Sequence, residues 1–310
     1  MAPAEHGTGR DAVGPAHSQG EAGRARTRDG RELYYQWLPG PAGPDLARPT
    51  VVFEGGLAAG RSYWAGAQAA LADVAPTVVY DRSGLGRSPA APAGVSRRLH
   101  ALAEDLGDLL DHLDRVGPGG PFLLVGHSWG GPLVRLAAAA QPARMAGLVL
   151  VDPTDESCDL LFQPAMRRAE RIGQVVTVAL ARLGLLGRAY RSLTATLPPD
   201  AAADMRTEGY TVAMTRTRGR ELEDAAGDLR ALLENPPGLA GLPVTVVSAG
   251  RVSPGMPKSV RERATASHAY RARQSPHGRH VVLPEADHMV LTTSAAELAE
   301  EIRRLVALGR

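Results

Sequence analysis

The chain has 310 residues, enough for one large core, and its 44% apolar content is ordinary for a globular fold. A formal charge of +2, carried by scattered arginines with Lys258 the only lysine, gives no electrostatic case for nucleic acid. The lone Cys158 excludes an internal disulfide and a cysteine metal cluster, which fits a cytoplasmic location, and no run approaches the ~18 apolar residues of a membrane span. Residues 1–23 read as a flexible tail, since the first twenty lack the apolar core of a secretory signal.

From Arg26 the sequence predicts a hairpin, with Arg28-Asp29-Gly30 as the turn and Leu33–Trp37 as the outgoing strand. Four short apolar runs follow: Val51–Phe53, Thr77–Tyr80, Phe122–Val125 and Leu148–Val151. Runs of this kind, bounded by Gly and Pro, suit strands buried on both faces. Between them, Arg97–Val116 places Leu99, Leu102, Leu106, Leu110 and Leu113 on one helical face and Glu104, Asp105, Asp108 and Asp111 on a polar outer one. Gly130–Gln141 predicts another helix, ended by Pro142. Strands alternating with helices predict an α/β fold with a mostly parallel central sheet.

After Asp152 the rhythm changes. Ser157 to about Asn235 offers only helical stretches, among them Met166–Leu186 and Arg220–Leu233. Sheet-like runs return at Val244–Val247 and His280–Leu283, and a last helix spans Ser294–Leu308. The expected division is therefore a core of residues 24–152 and 238–310, with a helical insertion at 153–237.

Gly126-His127-Ser128-Trp129-Gly130 lies between a strand and a helix. Such a turn is so tight that the neighbours of the central residue must lack bulk, hence glycine two before and two after. A serine there projects at a helix N-terminus, where backbone N–H groups face developing negative charge. Taken in order, four features resemble the α/β-hydrolase superfamily with a helical cap. They are Gly55-Gly56-Leu57, the stretch Tyr80 to Ser88, the Ser128 elbow, and Asp287-His288 near the end.

The resemblance implies Ser128 as nucleophile and His288 as the base that takes its proton. His127 is expected to support the elbow with its side chain pointing away, and His268 has no special setting. Most relatives carry the acid after the strand matching Val244–Val247, but here Ser248-Ala249-Gly250-Arg251 follows with no carboxylate. Asp152, at the end of the preceding strand, is the expected partner of His288, with Asp155 and Glu156 as alternatives; Asp287 is too close in sequence to reach around to the ring. The oxyanion hole would use the N–H groups of Leu57 and Trp129, with Gly56 adjoining. Asp81 to Ser88 reads as a structural turn.

Phe162, Met166, Met205, Tyr210 and Met214 are candidates for an apolar substrate pocket. Several arginines of the insertion, including Arg216, Arg218 and Arg220, read as a solvated face, with an acidic or phosphorylated substrate group as the alternative. The expected activity is hydrolysis or transfer of an ester-like acyl group of a small, largely apolar molecule. It needs no metal or organic cofactor, and neither nucleic acid nor membrane is an expected partner. Amide, thioester, lactone and carbon–carbon cleavage stay open. So do a cyclase or lyase in natural-product metabolism and a small-molecule receptor on the same fold.

Overall fold

The structure is a computed structural model that describes residues 16–41, 48–239, 241–253 and 255–309. Its centre is an eight-stranded sheet in the order β1-β2-β4-β3-β5-β6-β7-β8. β1 (Glu21–Arg26) and β2 (Glu32–Leu38) form the expected hairpin, and Gly30, at φ +86°, closes it with a left-handed residue. β2 also pairs antiparallel with β4 (Thr77–Tyr80). The rest is parallel: β3 (Thr50–Glu54) beside β4, then β5 (Phe122–His127), β6 (Met145–Val151), β7 (Val244–Ala249) and β8 (Gly278–Leu283).

The apolar runs divide by alternation. Val52, Val78, Leu124, Leu148, Leu150 and Val246 face one side, against α2 (Leu99–Val116) and α3 (Gly130–Ala140). Val51, Phe53, Val79, Val125, Val149 and Val247 face the other, against α1 (Ala65–Ala69) and the C-terminal helices. Burial on both faces explains why these strands read as continuous apolar runs.

Two expectations need correction. Residues 1–15 of the expected tail lie outside the described residues, but residues 18–23 do not behave as a tail. Ser18 donates to Asp200 from its backbone N–H at 2.6 Å and its hydroxyl at 2.7 Å, Gln19 is buried, and β1 begins at Glu21. Nor is the acidic face of α2 turned to water along its whole length. Asp105 and Asp108 are buried because the β1–β2 hairpin lies over them, and Arg31 and Arg28 supply their counter-charges.

Between β6 and β7 the described chain has helices and no strand. These are α4 (Pro164–Arg182), the short α5 (Leu186–Ala189) and α6 (Arg191–Thr194), then α7 (Pro199–Glu208), α8 (Val212–Leu222) and α9 (Ala225–Glu234). The single helix expected over Arg220–Leu233 is broken at Glu223–Asp224 into α8 and α9. α10 (Lys258–Arg273), the short α11 (Val290–Thr293) and α12 (Ala295–Leu308) complete the chain. Among the described residues no helix is long and apolar enough to cross a membrane.

A buried ion network ties α8 to the sheet. The guanidinium of Arg82, just past β4, donates to both oxygens of Glu221 at 2.9 Å and also to Glu54 at the end of β3. Arg97 adds a contact to Glu221 at 3.7 Å and one to Asp105 at 3.1 Å. Burial pushes the Glu221 carboxyl up, but the charges and hydrogen bonds of Arg82 and Arg97 outweigh it and hold Glu221 below the usual carboxylate range. Removing one partner of such a set leaves a buried charge short of its counter-ion, so Glu221→Ala is expected to cost about 3–5 kcal/mol. The shift of the denaturant midpoint at constant slope measures it; a loss below about 1 kcal/mol would mean that the network contributes little.

Candidate active site

The turn from β5 into α3 carries Ser128 at φ +50°, a left-handed conformation that costs a non-glycine residue about 1–3 kcal/mol. Its neighbours have no room for side chains. A Cβ on Gly126 would lie 2.5 Å from the Gly130 carbonyl oxygen, and one on Gly130 would lie 2.7 Å from the carbonyl oxygens of Glu54 and Gly55. Backbone hydrogen bonds fix the turn: the Ser128 N–H donates to Val151 at 3.0 Å, and its carbonyl accepts from Thr154 at 2.9 Å and Gly131 at 3.0 Å.

His288, on the loop between β8 and α11, brings Nε2 to 3.2 Å from Ser128 Oγ and Nδ1 to 2.7 Å from Asp152 Oδ2. Asp152 is buried at the end of β6, also left-handed at φ +40°. Its other oxygen, Oδ1, accepts from the Ala249 N–H at 3.0 Å and from Arg261 of α10 at 2.6 Å. Burial alone would push this carboxyl up. The hydrogen bond from His288 and the charges of His288, His268 and Arg261 outweigh that and hold it well below the usual carboxylate range. An ionised Asp152 can only accept, so the proton of His288 lies on Nδ1 and Nε2 is free to accept from the Ser128 hydroxyl.

The alternative acids are engaged elsewhere. Asp155 pairs with Arg271 at 2.7 Å, and Glu156 with Arg135 at 2.7 and 2.8 Å. Asp287 accepts from the Met289 N–H at 2.8 Å, a local turn. Glu54 is buried between Tyr80 and Arg82, and burial pushes its carboxyl up. The Asp81–Ser88 segment is a turn anchored by buried Asp81, which accepts from the Arg87 N–H at 3.1 Å within the turn and from the Arg61 N–H at 2.9 Å outside it.

Leu57 follows β3 and Gly56 lies against the elbow, where an added Cβ would approach Ser128 Cβ to 3.2 Å. The backbone N–H groups of Leu57 and Trp129 have no hydrogen-bond partner among the described residues, whereas the next one, of Ala58, donates to Glu221 at 3.1 Å.

A cavity of about 310 Å³ opens over Ser128 and His288. Tyr210 and Met214 line it as expected. Phe162, Met166 and Met205 do not. Phe162 packs on the main core beneath Arg230, Met166 stays half-buried in the first turns of α4, and Met205 is buried against Leu197, Ala201 and Ala202. Helical spacing marks a buried face, but not the space that face borders. The sequence reading missed Tyr63, Trp64, Tyr190 and Leu193, which also line the cavity; Tyr190 stacks on Tyr210 with ring centroids 5.9 Å apart. Arg218 lines it too, rather than lying on a solvated face. A larger groove of about 820 Å³, bordered by Leu232, Arg263 and Tyr270, includes neither Ser128 nor His288. Among the described residues no cluster of His, Cys, Asp and Glu is arranged to hold a metal ion.

Two histidines differ from expectation. His127 does not point away: its ring lies 4.9 Å from that of His288, and its Nε2 donates to the His288 carbonyl at 2.8 Å. His268 is buried; its Nε2 donates to the Pro153 carbonyl at 2.8 Å, its Nδ1 lies 2.7 Å from Ser248 Oγ, and it reaches within 3.8 Å of Asp152.

Burial, with the neighbouring His288 second, brings the His127 imidazole down to about 3. Between the ordinary value of about 6.5 and this one the unfolded chain binds a proton that the folded protein does not, so stability falls as pH falls through that window. Relative to a His127→Phe variant, the wild type is expected to lose about 2 kcal/mol between about pH 7 and about pH 4.5. Paired denaturant titrations at the two pH values measure this, and a constant difference would refute it.

The family model described as "alpha/beta hydrolase fold" matches residues 49–295. The lipase LipV of Mycobacterium tuberculosis is 43% identical over 79 residues, 25% of this chain and 27% of that protein. The chain spans 24–48% of the length of the curated relatives it matches. A thermophilic esterase from Thermogutta terrifontis superimposes with a TM-score of 0.63 at 20% identity, covering 92% of this chain and 97% of that one. The epoxide hydrolase CorEH gives 0.67 at 16% identity, covering 94% and 99%.

Proposed function

The chain belongs to the α/β-hydrolase fold family, and from that premise we propose that it is a serine hydrolase acting on an ester-like acyl group of a small molecule. The observation that carries this reading is the unbroken hydrogen-bonded chain from Ser128 Oγ through His288 to the ionised Asp152. A lipase and an esterase among the similar proteins support the same class of chemistry.

In this mechanism Ser128 Oγ attacks the acyl carbon and its proton passes to His288 Nε2. The imidazolium so formed is steadied by Asp152, whose charge is already in place. The negative charge on the former carbonyl oxygen is received by the N–H groups of Leu57 and Trp129, which need no rearrangement because nothing else in the described chain occupies them. Collapse breaks the bond to the leaving alcohol, to which His288 returns the proton. Water, deprotonated by His288, then attacks the acyl-enzyme; the acid is released and Ser128 regains its proton. The summed reaction is ester plus water to acid plus alcohol.

Among α/β hydrolases the residue at the elbow separates chemistries. Serine attack on an epoxide would leave an ether that water does not release, whereas attack on an ester leaves an acyl-enzyme that it does. Ser128 therefore supports acyl chemistry for this chain despite the likeness to an epoxide hydrolase fold. In this reading the helices of residues 153–237 act as a cap, since Tyr190, Tyr210 and Met214 come from them and roof the cavity. The single cysteine supports a cytoplasmic location.

A fluorophosphonate probe is expected to label the wild-type protein at Ser128 and to leave a folded Ser128→Ala variant unlabelled. No labelling of folded wild-type protein would overturn the proposal. Asp152→Asn keeps the shape but removes the charge and disturbs the tautomer of His288, so the rate on an activated ester should fall by about 10⁴-fold. Near-normal turnover in that variant would remove Asp152 from the mechanism.

A further inference from the structure

Buried arginines in this chain are matched by carboxylates. Arg61 pairs with Asp81, Arg82 with Glu221, Arg135 with Glu156, Arg261 with Asp152 and Arg271 with Asp155. Arg218 departs from the pattern. It is half-buried on α8, lines the same cavity as Ser128 and His288, and has no carboxylate within 4.0 Å among the described residues. The two acids nearest in influence, Glu170 and Glu221, are engaged by Arg167 at 2.7 Å and Arg82 at 2.9 Å.

Arg218 is nevertheless held in place. Its Nη1 donates to Gln174 Oε1, and the Gln174 amide is fixed in turn by donating to the Thr215 carbonyl at 2.8 Å. A neutral amide thus orients the guanidinium without neutralising it, and four of its five N–H bonds stay available. Leaving the two histidines aside, it is the one charged side chain among the described residues lining the cavity, whose walls are otherwise Tyr63, Trp64, Leu193, Met214 and similar groups. A cation kept without a counter-ion in such surroundings costs free energy that a bound anion would return. Burial lowers its proton affinity, yet a guanidinium stays charged at any physiological pH.

We infer that the cavity takes a substrate carrying a carboxylate besides its reacting acyl group, and that Arg218 binds that carboxylate. The planar fork of a guanidinium matches the two oxygens of a carboxylate. One cation balances a monoanion, while a phosphate dianion would leave a charge uncompensated in the cavity. The reacting half of this substrate rests on the serine-hydrolase reading; the anionic half rests on Arg218 alone. It refines the largely apolar substrate expected from the sequence to one that is apolar along its length and charged at one point.

The test separates the two readings by avoiding turnover. In the Ser128→Ala protein, calorimetry compares monomethyl glutarate, which carries one carboxylate, with neutral dimethyl glutarate. The monoester is expected to bind about 10- to 100-fold more tightly, the worth of a charge-assisted hydrogen-bonded pair. Adding Arg218→Gln should bring the ratio near one, and Arg218→Lys should restore part of it. Equal affinities, no saturable binding of the monoester, or a preference that survives Arg218→Gln would each overturn the inference. The first comparison needs no change at Arg218, so it does not depend on how that variant folds. Fluorophosphonate labelling of the wild type reports on the hydrolase reading separately.

Discussion

The strained turn at Ser128 is the constraint around which the rest of the molecule is arranged. Three non-glycine residues among those described have a left-handed backbone, Ala58, Ser128 and Asp152, and all three follow parallel strands; Ala58 and Ser128 line the cavity, and Asp152 bonds His288, which lines it too. Each conformation is unfavourable by about 1–3 kcal/mol and persists only where the surroundings over-determine it. The surroundings here are the parallel ladder itself. β5 lies between β3 and β6, so the turn after β5 is hemmed by the loop after β3 on one side and by the loop after β6 on the other. The glycines at 126 and 130 are the consequence, because the carbonyls of Glu54, Gly55 and Gly130 occupy the space their side chains would need.

The loop after β3 must itself be held, and that ties the helical insertion to the proposed chemistry. Ala58, at φ +54°, gives its N–H to Glu221 on α8, and Glu221 is clamped by Arg82, whose guanidinium also donates to the carbonyls of Gly55 and Gly56. One buried acid therefore binds both the loop that carries the free Leu57 N–H and the arginine that braces that loop from below. α8 carries Met214 and Arg218 into the cavity as well. A displacement of α8 would disturb the proposed oxyanion donor at Leu57 and the cavity wall together, so on this reading the insertion is mechanically part of the site rather than an appendage over it.

Much of this was legible in the sequence because its signals are local. Continuous apolar runs gave the parallel strands, and the glycine spacing around Ser128 gave the elbow. The helix of residues 99–116 announced itself through its leucines. What failed to read out was pairwise and long-range. Asp105 and Asp108 looked like a solvated face because the hairpin that covers them lies about eighty residues earlier in the chain, as the Arg28 to Asp108 hydrogen bonds record. Phe162, Met166 and Met205 share the helical spacing of Tyr210 and Met214, yet only the last two border the cavity. Arg218 resembled its neighbours Arg216 and Arg220 in composition. Only the fold distinguishes them: Arg220 caps the carbonyls of Ala91, Pro92 and Val95, whereas Arg218 turns inward.

The position of the acid follows from the same logic of supports. The strand end where the resemblance leads one to expect a carboxylate, after β7, is occupied instead by groups that serve a carboxylate from the neighbouring strand. The Ala249 N–H at the end of β7 donates to Asp152, and Ser248 holds His268, which lies beside Asp152. Arg261, from the helix that follows β7, supplies the counter-charge. With one oxygen of Asp152 taken up by Ala249 and Arg261, the other is aimed at His288 Nδ1 and has no competing donor among the described residues. A carboxylate moved one strand along the sheet could still address the same imidazole because β6 and β7 are adjacent and parallel, so their ends open on the same edge. The position after β7 offers a donor rather than an acceptor; a second carboxylate there, facing Asp152, would raise the proton affinity of both and leave His288 without a fixed negative partner. The absence of an acid after β7 and the presence of Arg261 in α10 are thus two parts of one arrangement.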